Sequence, residues 1–206
     1  MYITSIEAWK KGRKLIYLNN EPGFVLYTSE VRDYDLAEGM ELSAGLYKNI
    51  EELTLKPRCK RRILHLLDRY DKTEAQVRLK LKEELYPEEV IEEAISAANR
   101  GRYIDDNRYA LQYTYEKSRS KSRRMISAEL RNRGIPEALI EKALEETEDN
   151  EEALIRKQIL KKSPDPGQLT YEEKQKLLGS ICRKGFDADR CIKVLNELIR
   201  EKQNYS

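Results

Sequence analysis

Between Lys117 and Arg133 the chain carries seven cations, Lys117, Arg119, Lys121, Arg123, Arg124, Arg131 and Arg133, against the single carboxylate of Glu129. Guanidinium and ammonium groups at that density recognise anions, either a phosphate backbone or a protein surface rich in carboxylates. Arg58, Lys60, Arg61 and Arg62 form a second cluster, and Lys161-Lys162 with Arg183-Lys184 a third. Net charge over the whole chain is only +2, so anion recognition would be a property of these clusters and not of overall charge. Charged residues on helices often do no more than solvate an exposed face. What sets the Lys117 to Arg133 stretch apart is how few acids offset it.

Residues that make and break bonds are sparse. The only histidine, His65, lies inside an apolar helical run, where packing or surface exposure explains it. Asp105-Asp106 is a carboxylate pair, yet it immediately precedes Tyr109, Ala110 and Tyr113, a setting that suits a helix N-cap. Gly179 and Lys184-Gly185 have glycine and lysine in the wrong order for a phosphate loop, and they fall in a predicted helix instead of after a strand. Cys59, Cys182 and Cys191 are odd in number and lack C-x-x-C spacing, which argues against structural disulfides and zinc and suits a reducing cytoplasm. Tyr109 and Tyr113, four apart on one helix face, read as core packing before base stacking; Tyr103 and Tyr115 carry no such assignment. The chain is therefore read as non-enzymatic, with no catalytic, cofactor or metal site. Its apolar runs are a few residues long, far short of the roughly twenty that cross a bilayer, so no membrane partner is expected.

The elements that must position the cations repeat. Leu130-Arg131-Asn132-Arg133-Gly134-Ile135-Pro136-Glu137, with Leu139-Ile140 and Ala143-Leu144, returns 51 positions later as Ile181-Cys182-Arg183-Lys184-Gly185-Phe186-Asp187, with Cys191 and Val194-Leu195. An earlier copy lies 49 positions upstream, where Leu81, Leu85-Tyr86-Pro87-Glu88, Val90-Ile91 and Ala94-Ile95 keep the order but put Leu85 in the glycine position. Each copy reads as three helices, since its apolar residues recur three and four apart. Thr73 with Gln76, and Thr170 with Glu173, have the spacing of capping boxes. Gly134 and Gly185 suit the left-handed residue that ends a helix, and Pro87 and Pro136 suit the first turn of the next. One such bundle has a small core, so neighbouring copies are expected to pack end to end. The acidic run Glu145, Glu146, Glu148 and Asp149 reads as a solvated linker between the second and third copies. The Ser163-Pro164-Asp165-Pro166-Gly167 stretch reads as a loop within the third.

The N-terminal region differs in kind. Tyr2 to Ile6, Lys14 to Leu18 and Gly23 to Tyr27 are short runs rich in β-branched and aromatic residues, with turn chemistry at Asn19-Asn20 and Glu21-Pro22-Gly23, so they predict a small antiparallel sheet. A short helix near Val31 to Leu36 follows, ended by Glu38-Gly39. From Ser43 the pattern turns helical, and Pro57 marks a kink or the start of the first repeat. Up to Lys56 there are 7 basic and 9 acidic residues, which makes this sheet a docking or dimer element and not a nucleic-acid platform. The fold class is thus mainly α: three tandem three-helix repeats in an elongated array after a β-rich N-terminal subdomain. The boundaries are set at 1–45, 46–104, 105–149 and 150–206.

Tyr103-Ile104-Asp105-Asp106-Asn107-Arg108-Tyr109-Ala110 resembles the most recognisable segment of the RecX regulatory proteins of bacteria, with Tyr109 where phenylalanine is more usual. Arg123-Arg124, Glu129-Leu130 and Arg133-Gly134-Ile135 match that family in order and spacing. Departures are Leu85 in place of glycine, Arg190 at a usually apolar position, and the proline-rich loop. The resemblance implies a modulator of the RecA recombinase that acts in regulation of DNA repair and the SOS response. It implies binding within the groove of the RecA filament on DNA and suppression of ATP hydrolysis and strand exchange; weak direct contact with single- or double-stranded DNA is a further expectation. The alternative from the residues themselves is a sequence-tolerant DNA-binding protein built of units like helix-turn-helix modules.

Overall fold

Three short apolar runs pair as the alternation of their residues requires. In the computed structural model, which describes residues 1–10 and 12–204, β1 (Ile3–Ala8), β2 (Arg13–Leu18) and β3 (Glu21–Tyr27) form an antiparallel sheet in the order β1-β2-β3. Asn19 and Asn20, with φ of 50° and 70°, make a two-residue turn whose twist matches the strands they join. Ile3, Ile16, Phe24 and Leu26 are fully buried. Helix α1 (Thr28–Asp33) starts three residues before the expected Val31, because the Glu30 carboxylate accepts the Tyr27 N–H at 2.7 Å and opens the helix there.

Ser43 caps α2 (Ala44–Ile50), its hydroxyl accepting the Leu46 N–H at 3.2 Å. The helix continues through a π-turn, Glu51–Leu55, into α3 (Lys56–Leu67). Pro57 lies just after that turn. A proline ring clashes with the carbonyl four residues back, and the wider π-turn, closed by Lys56 N–H to the Glu51 carbonyl, gives it room without ending the helix. Pro57 accordingly stands in the first turn of α3, the helix that opens the first repeat, as one of the two sequence readings expects.

From α3 onward the three-helix unit recurs: α3, α4 (Glu74–Glu83) and α5 (Glu88–Arg100); α6 (Asp106–Lys117), α7 (Arg123–Asn132) and α8 (Glu137–Glu145); α9 (Glu151–Lys162), α10 (Tyr171–Cys182) and α11 (Ala188–Asn204). Each middle helix has the same start and the same stop. Thr73, Ser122 and Thr170 accept the N–H groups of Gln76, Met125 and Glu173 at 3.2, 3.2 and 3.3 Å. At the other end Leu85, Gly134 and Gly185 all take left-handed backbone, with φ of 58°, 78° and 84°. The next N–H folds back to the helix, Tyr86 to the Leu81 carbonyl and Ile135 to that of Leu130, each at 3.2 Å. Leucine adopts this conformation at a cost of about 1–2 kcal/mol, so the first repeat keeps the geometry of the other two against the preference of its own residue. Pro87 and Pro136 stand one residue earlier than expected, as N-caps and not in the first turn.

Two compact units divide the chain, Met1–Asp105 and Asp106–Ser206. In the first, sheet and repeat share one core that runs from Ile3 and Phe24 through Leu55, Cys59 and Ile63 to Ile91 and Ile95. In the second, the two repeats have separate cores, one around Ile126, Leu130 and Ile140, the other around Ile155, Ile181 and Val194.

Candidate partner-binding surface

Hydrogen-bonding groups on the first unit draw in most of its basic cluster. Arg58 donates Nη1 to the Val25 carbonyl at 3.1 Å, pairs with Glu30, and lies 4.8 Å from the Tyr27 ring centroid, so it ties α3 to β3. Arg62 grips Glu84, its Nε 2.9 Å from Oε1, and Lys60 pairs with Glu93 at 2.9 Å. Lys56 also reaches Glu93, at 2.6 Å. Lys56 first and Lys60 next hold the Glu93 carboxyl well below its usual range, at about 2. Arg61 is exposed, and it alone of the four has no ion pair among the described residues.

The Lys117 to Arg133 stretch divides into residues wired inward and residues facing out. Arg123 opens α7, but its guanidinium turns back to donate to the carbonyls of Leu144, at 2.5 Å, and Thr147, at 3.4 Å. A cation on the last carbonyls of a helix satisfies acceptors that have no helical partner and opposes the negative end of the dipole; Arg123 is in effect the C-cap of α8. Glu129 collects Lys121 at 2.5 Å and the hydroxyl of Tyr113. These two, Lys121 first, hold its carboxyl below the usual value. Burial, then the bond to Glu129, pushes the Tyr113 phenol up to about 12. The Tyr113 ring stacks on Tyr109 with centroids 6.1 Å apart and planes 7° apart, and Arg133 and Lys117 lie 4.5 and 5.6 Å from its centroid. Arg131 pairs with Glu137 at 2.7 Å.

Two cations of the stretch point away from this network. Arg119 stacks on Tyr115, 5.1 Å from the ring centroid, with its Nη2 2.9 Å from the phenolic oxygen; both side chains are exposed, Tyr115 to 60%. Arg124 is exposed on the first turn of α7.

Arg124 also stands at the seam where the second repeat meets the third. The Ser122 hydroxyl, besides capping α7, donates to the Lys184 carbonyl at 2.8 Å. A Cβ on Gly185 would sit 2.6 Å from that hydroxyl and 3.6 Å from the Arg124 Cβ, so this glycine is required by close approach as well as by φ. The corner bearing Arg183 and Lys184, both exposed, therefore lies against the N-terminus of α7. Lys184 turns its ammonium to Gln158 at 2.6 Å, and Lys162 bonds Ser180 at 2.8 Å. On the other side of the seam Glu151, 8% exposed, accepts the Arg123 backbone N–H at 2.7 Å and faces Arg190 at 3.3 Å; Arg190 in turn pairs with Asp149 at 2.8 Å. Burial opposes ionisation of Asp149, but Arg190 and the Glu151 N–H outweigh it and keep that carboxyl below its usual value. What the sequence suggests is a solvated acidic linker thus ends in a clamp. Ser122, Glu151 and Arg190 are not singled out by residue type; Ser122 was detectable, 49 positions after Thr73 and 48 before Thr170.

His65 is exposed on α3, Tyr103 is 57% exposed, and Asp105 immediately precedes α6. Among the described residues no three histidine, cysteine, aspartate or glutamate side chains are grouped to hold a metal, and no helix is long and apolar enough to cross a membrane.

Fold and surface together define a tandem three-helix repeat protein with a β-rich N-terminal sheet. Residues 105–144 match the model of the second three-helix domain of RecX, and residues 59–96 that of the first. The regulatory protein RecX of Caldanaerobacter subterraneus subsp. tengcongensis is 32% identical over 199 residues, covering 95% of this chain and 99% of the relative. That of Clostridium acetobutylicum is 28% identical, covering 97% of each. A crystal structure of a regulatory protein RecX superimposes with a TM-score of 0.63 at 29% identity, over 97% of this chain and 98% of the other. The chain belongs to the RecX family.

Proposed function

We propose that this chain is a non-catalytic cytoplasmic regulator that binds the RecA recombinase filament on DNA and lowers its ATPase and strand-exchange activity. Membership of the RecX family supports this reading, and the outward cations of the second unit, Arg119, Arg124 and Arg183, carry its contact surface. A filament repeats its acidic features along its length. Several weak contacts made by one chain then add through high effective concentration. Inhibition follows if the bound surface favours one filament state over another, since a ligand shifts an equilibrium only by differential affinity. Within the second unit Lys117, Lys121, Arg123, Arg131, Arg133 and Lys184 belong to the same basic clusters as these three, and Arg58, Lys60, Arg61 and Arg62 form a separate cluster on the first unit. Titration of the purified chain into cognate recombinase, single-stranded DNA and ATP is expected to depress ATP hydrolysis at or below stoichiometric amounts.

A second reading, direct sequence-tolerant DNA binding, is favoured by one feature. The exposed Tyr115 ring with Arg119 stacked on it is the kind of pair on which an unpaired base can stack. Salt separates the two: bare-DNA binding through several phosphates falls steeply as salt rises, whereas filament binding requires the recombinase. Tight binding to naked DNA without ATPase inhibition would establish the second reading.

A further inference from the structure

Two of the three free thiols are neighbours. Cys182 ends α10 and Cys191 lies in the first turns of α11, and the corner between them packs Cys182 against the core cluster that holds Cys191. Eight residues, 183 to 190, separate them in the chain. Their surroundings differ sharply. Cys191 is fully buried in the core of the third repeat, whereas Cys182 is half-buried and lines an open hollow of about 560 Å³ together with Arg123, Arg124, Arg190, Glu151 and Asp187. Cys59, by contrast, is sealed in the core of the first unit.

We propose that Cys182 and Cys191 form a reversible oxidation site, in which a hydroperoxide entering the hollow oxidises Cys182 and Cys191 resolves the product to an intramolecular disulfide. The Cys182 thiolate attacks the peroxide and takes one oxygen as the O–O bond breaks; water or an alcohol leaves and a sulfenic acid remains. The Cys191 thiol then attacks that sulfur, the S–S bond forms, the S–O bond breaks, and its proton leaves with the oxygen as a second water. Two electrons pass from the thiol pair to the peroxide, and a small-molecule thiol returns them by exchange. The order of events follows from the environments. A peroxide must reach the sulfur that it oxidises, and Cys182 is the thiol that lines the hollow. Burial, with Cys182 alongside, pushes the Cys191 thiol up to about 12, so it waits protonated until a sulfenic acid forms beside it.

The corner closed by this bond is the one whose Lys184 carbonyl and Gly185 seat Ser122. Oxidation therefore ties α10 to α11 across the corner that seats Ser122, with the hydrogen bond to the second repeat left non-covalent.

The test is mass spectrometry of the full chain after exposure to stoichiometric hydrogen peroxide, free of reductant and quenched with an alkylating reagent. The expected product has lost the mass of two hydrogens, contains a Cys182–Cys191 cross-linked peptide, and retains one alkylatable thiol, Cys59, of the three. In Cys191→Ser, Cys182 should accumulate as a sulfenic acid trapped by dimedone; in Cys182→Ser, Cys191 should remain unmodified. Helical circular dichroism of both variants shows that they fold, and the wild-type result stands without them. Wild-type protein that keeps all three thiols, over-oxidises Cys182 without cross-linking, or forms only intermolecular disulfides overturns the proposal.

Discussion

Arg58 and Arg62 brace one shared core in the first unit, whereas the arginines of the second divide between a polar seam and the exposed surface. In Met1–Asp105 a single core joins sheet and repeat, and Arg58 and Arg62 lie across its polar margin, bonded to Val25, Glu30 and Glu84. In Asp106–Ser206 the two cores are separate and a polar seam of Ser122, Arg123, Glu151, Gly185 and Arg190 connects them. Arg124 and Arg183 stand exposed at that seam, and Arg119 is exposed just past the end of α6. Density of positive charge along the chain is thus a poor guide to a contact surface. Whether each guanidinium is tied to another element of the fold or left at the surface separates the bracing arginines from the outward ones.

The largest expected effect separates the units at equivalent positions. Gly185→Ala meets both the φ penalty and the Ser122 hydroxyl, and should cost about 2–4 kcal/mol in urea denaturation of the second unit. Leu85→Gly relieves left-handed strain while losing a half-buried side chain and gaining unfolded-state entropy, so it should change stability by less than about 1 kcal/mol. A Gly185→Ala protein as stable as wild type would remove the seam from the account. Next in size, Arg123→Ala should cost about 1.5–3 kcal/mol by uncapping α8, as expected for hydrogen bonds to a charged group. Its neighbour Arg124→Ala should stay within about 0.5 kcal/mol. Equal losses at the two positions would erase the distinction between inward and outward arginines.

Acid should distinguish the units more gently. The folded-state carboxyl of Glu93 is depressed, so its stabilising contribution is complete above the unfolded value of 4.5 and is lost as pH falls toward about 2. Glu129 and Asp149 are depressed in the second unit, with the same sign. Chemical denaturation followed between pH 6 and pH 2.5, a range chosen to bracket roughly these carboxylates, should show Glu93→Gln flattening the acid loss of the first unit and Glu129→Gln that of the second. A variant with the full wild-type slope would refute its assignment. Smallest of all, Thr114→Val replaces a buried hydroxyl that has no hydrogen-bond partner among the described residues, and is expected to be neutral or to stabilise by up to about 1 kcal/mol, again read from urea midpoints. A loss above about 1 kcal/mol would mean that the hydroxyl is satisfied after all.

Periodicity alone revealed most of the fold. The threefold recurrence of Leu81-Tyr86, Leu130-Ile135 and Ile181-Phe186 places every middle helix and its stop, because apolar order and the left-handed residue both follow from local chemistry. Boundaries slipped where side chains intervened, as where Glu30 pulls α1 forward; at Pro57 the π-turn lets the helix run on. The surface was less legible. Arg123 and Arg124 are adjacent and chemically identical, yet one caps α8 from within and the other faces solvent. Which way each points depends on a carbonyl some twenty residues away. Arg190 looked out of place in an apolar position until Asp149 and Glu151 were seen beside it.

The most direct measurement is recombinase ATP hydrolysis on single-stranded DNA, titrated with the wild-type chain and with the variant Arg119→Glu, Arg124→Glu, Arg183→Glu. Reversal of three outward charges should weaken inhibition by fivefold or more, equivalent to ~1 kcal/mol or above, with circular dichroism and urea midpoint unchanged. Undiminished inhibition by the folded variant, alongside a loss in Arg58→Ala or Arg62→Ala, would place the contact on the first unit and contradict the account.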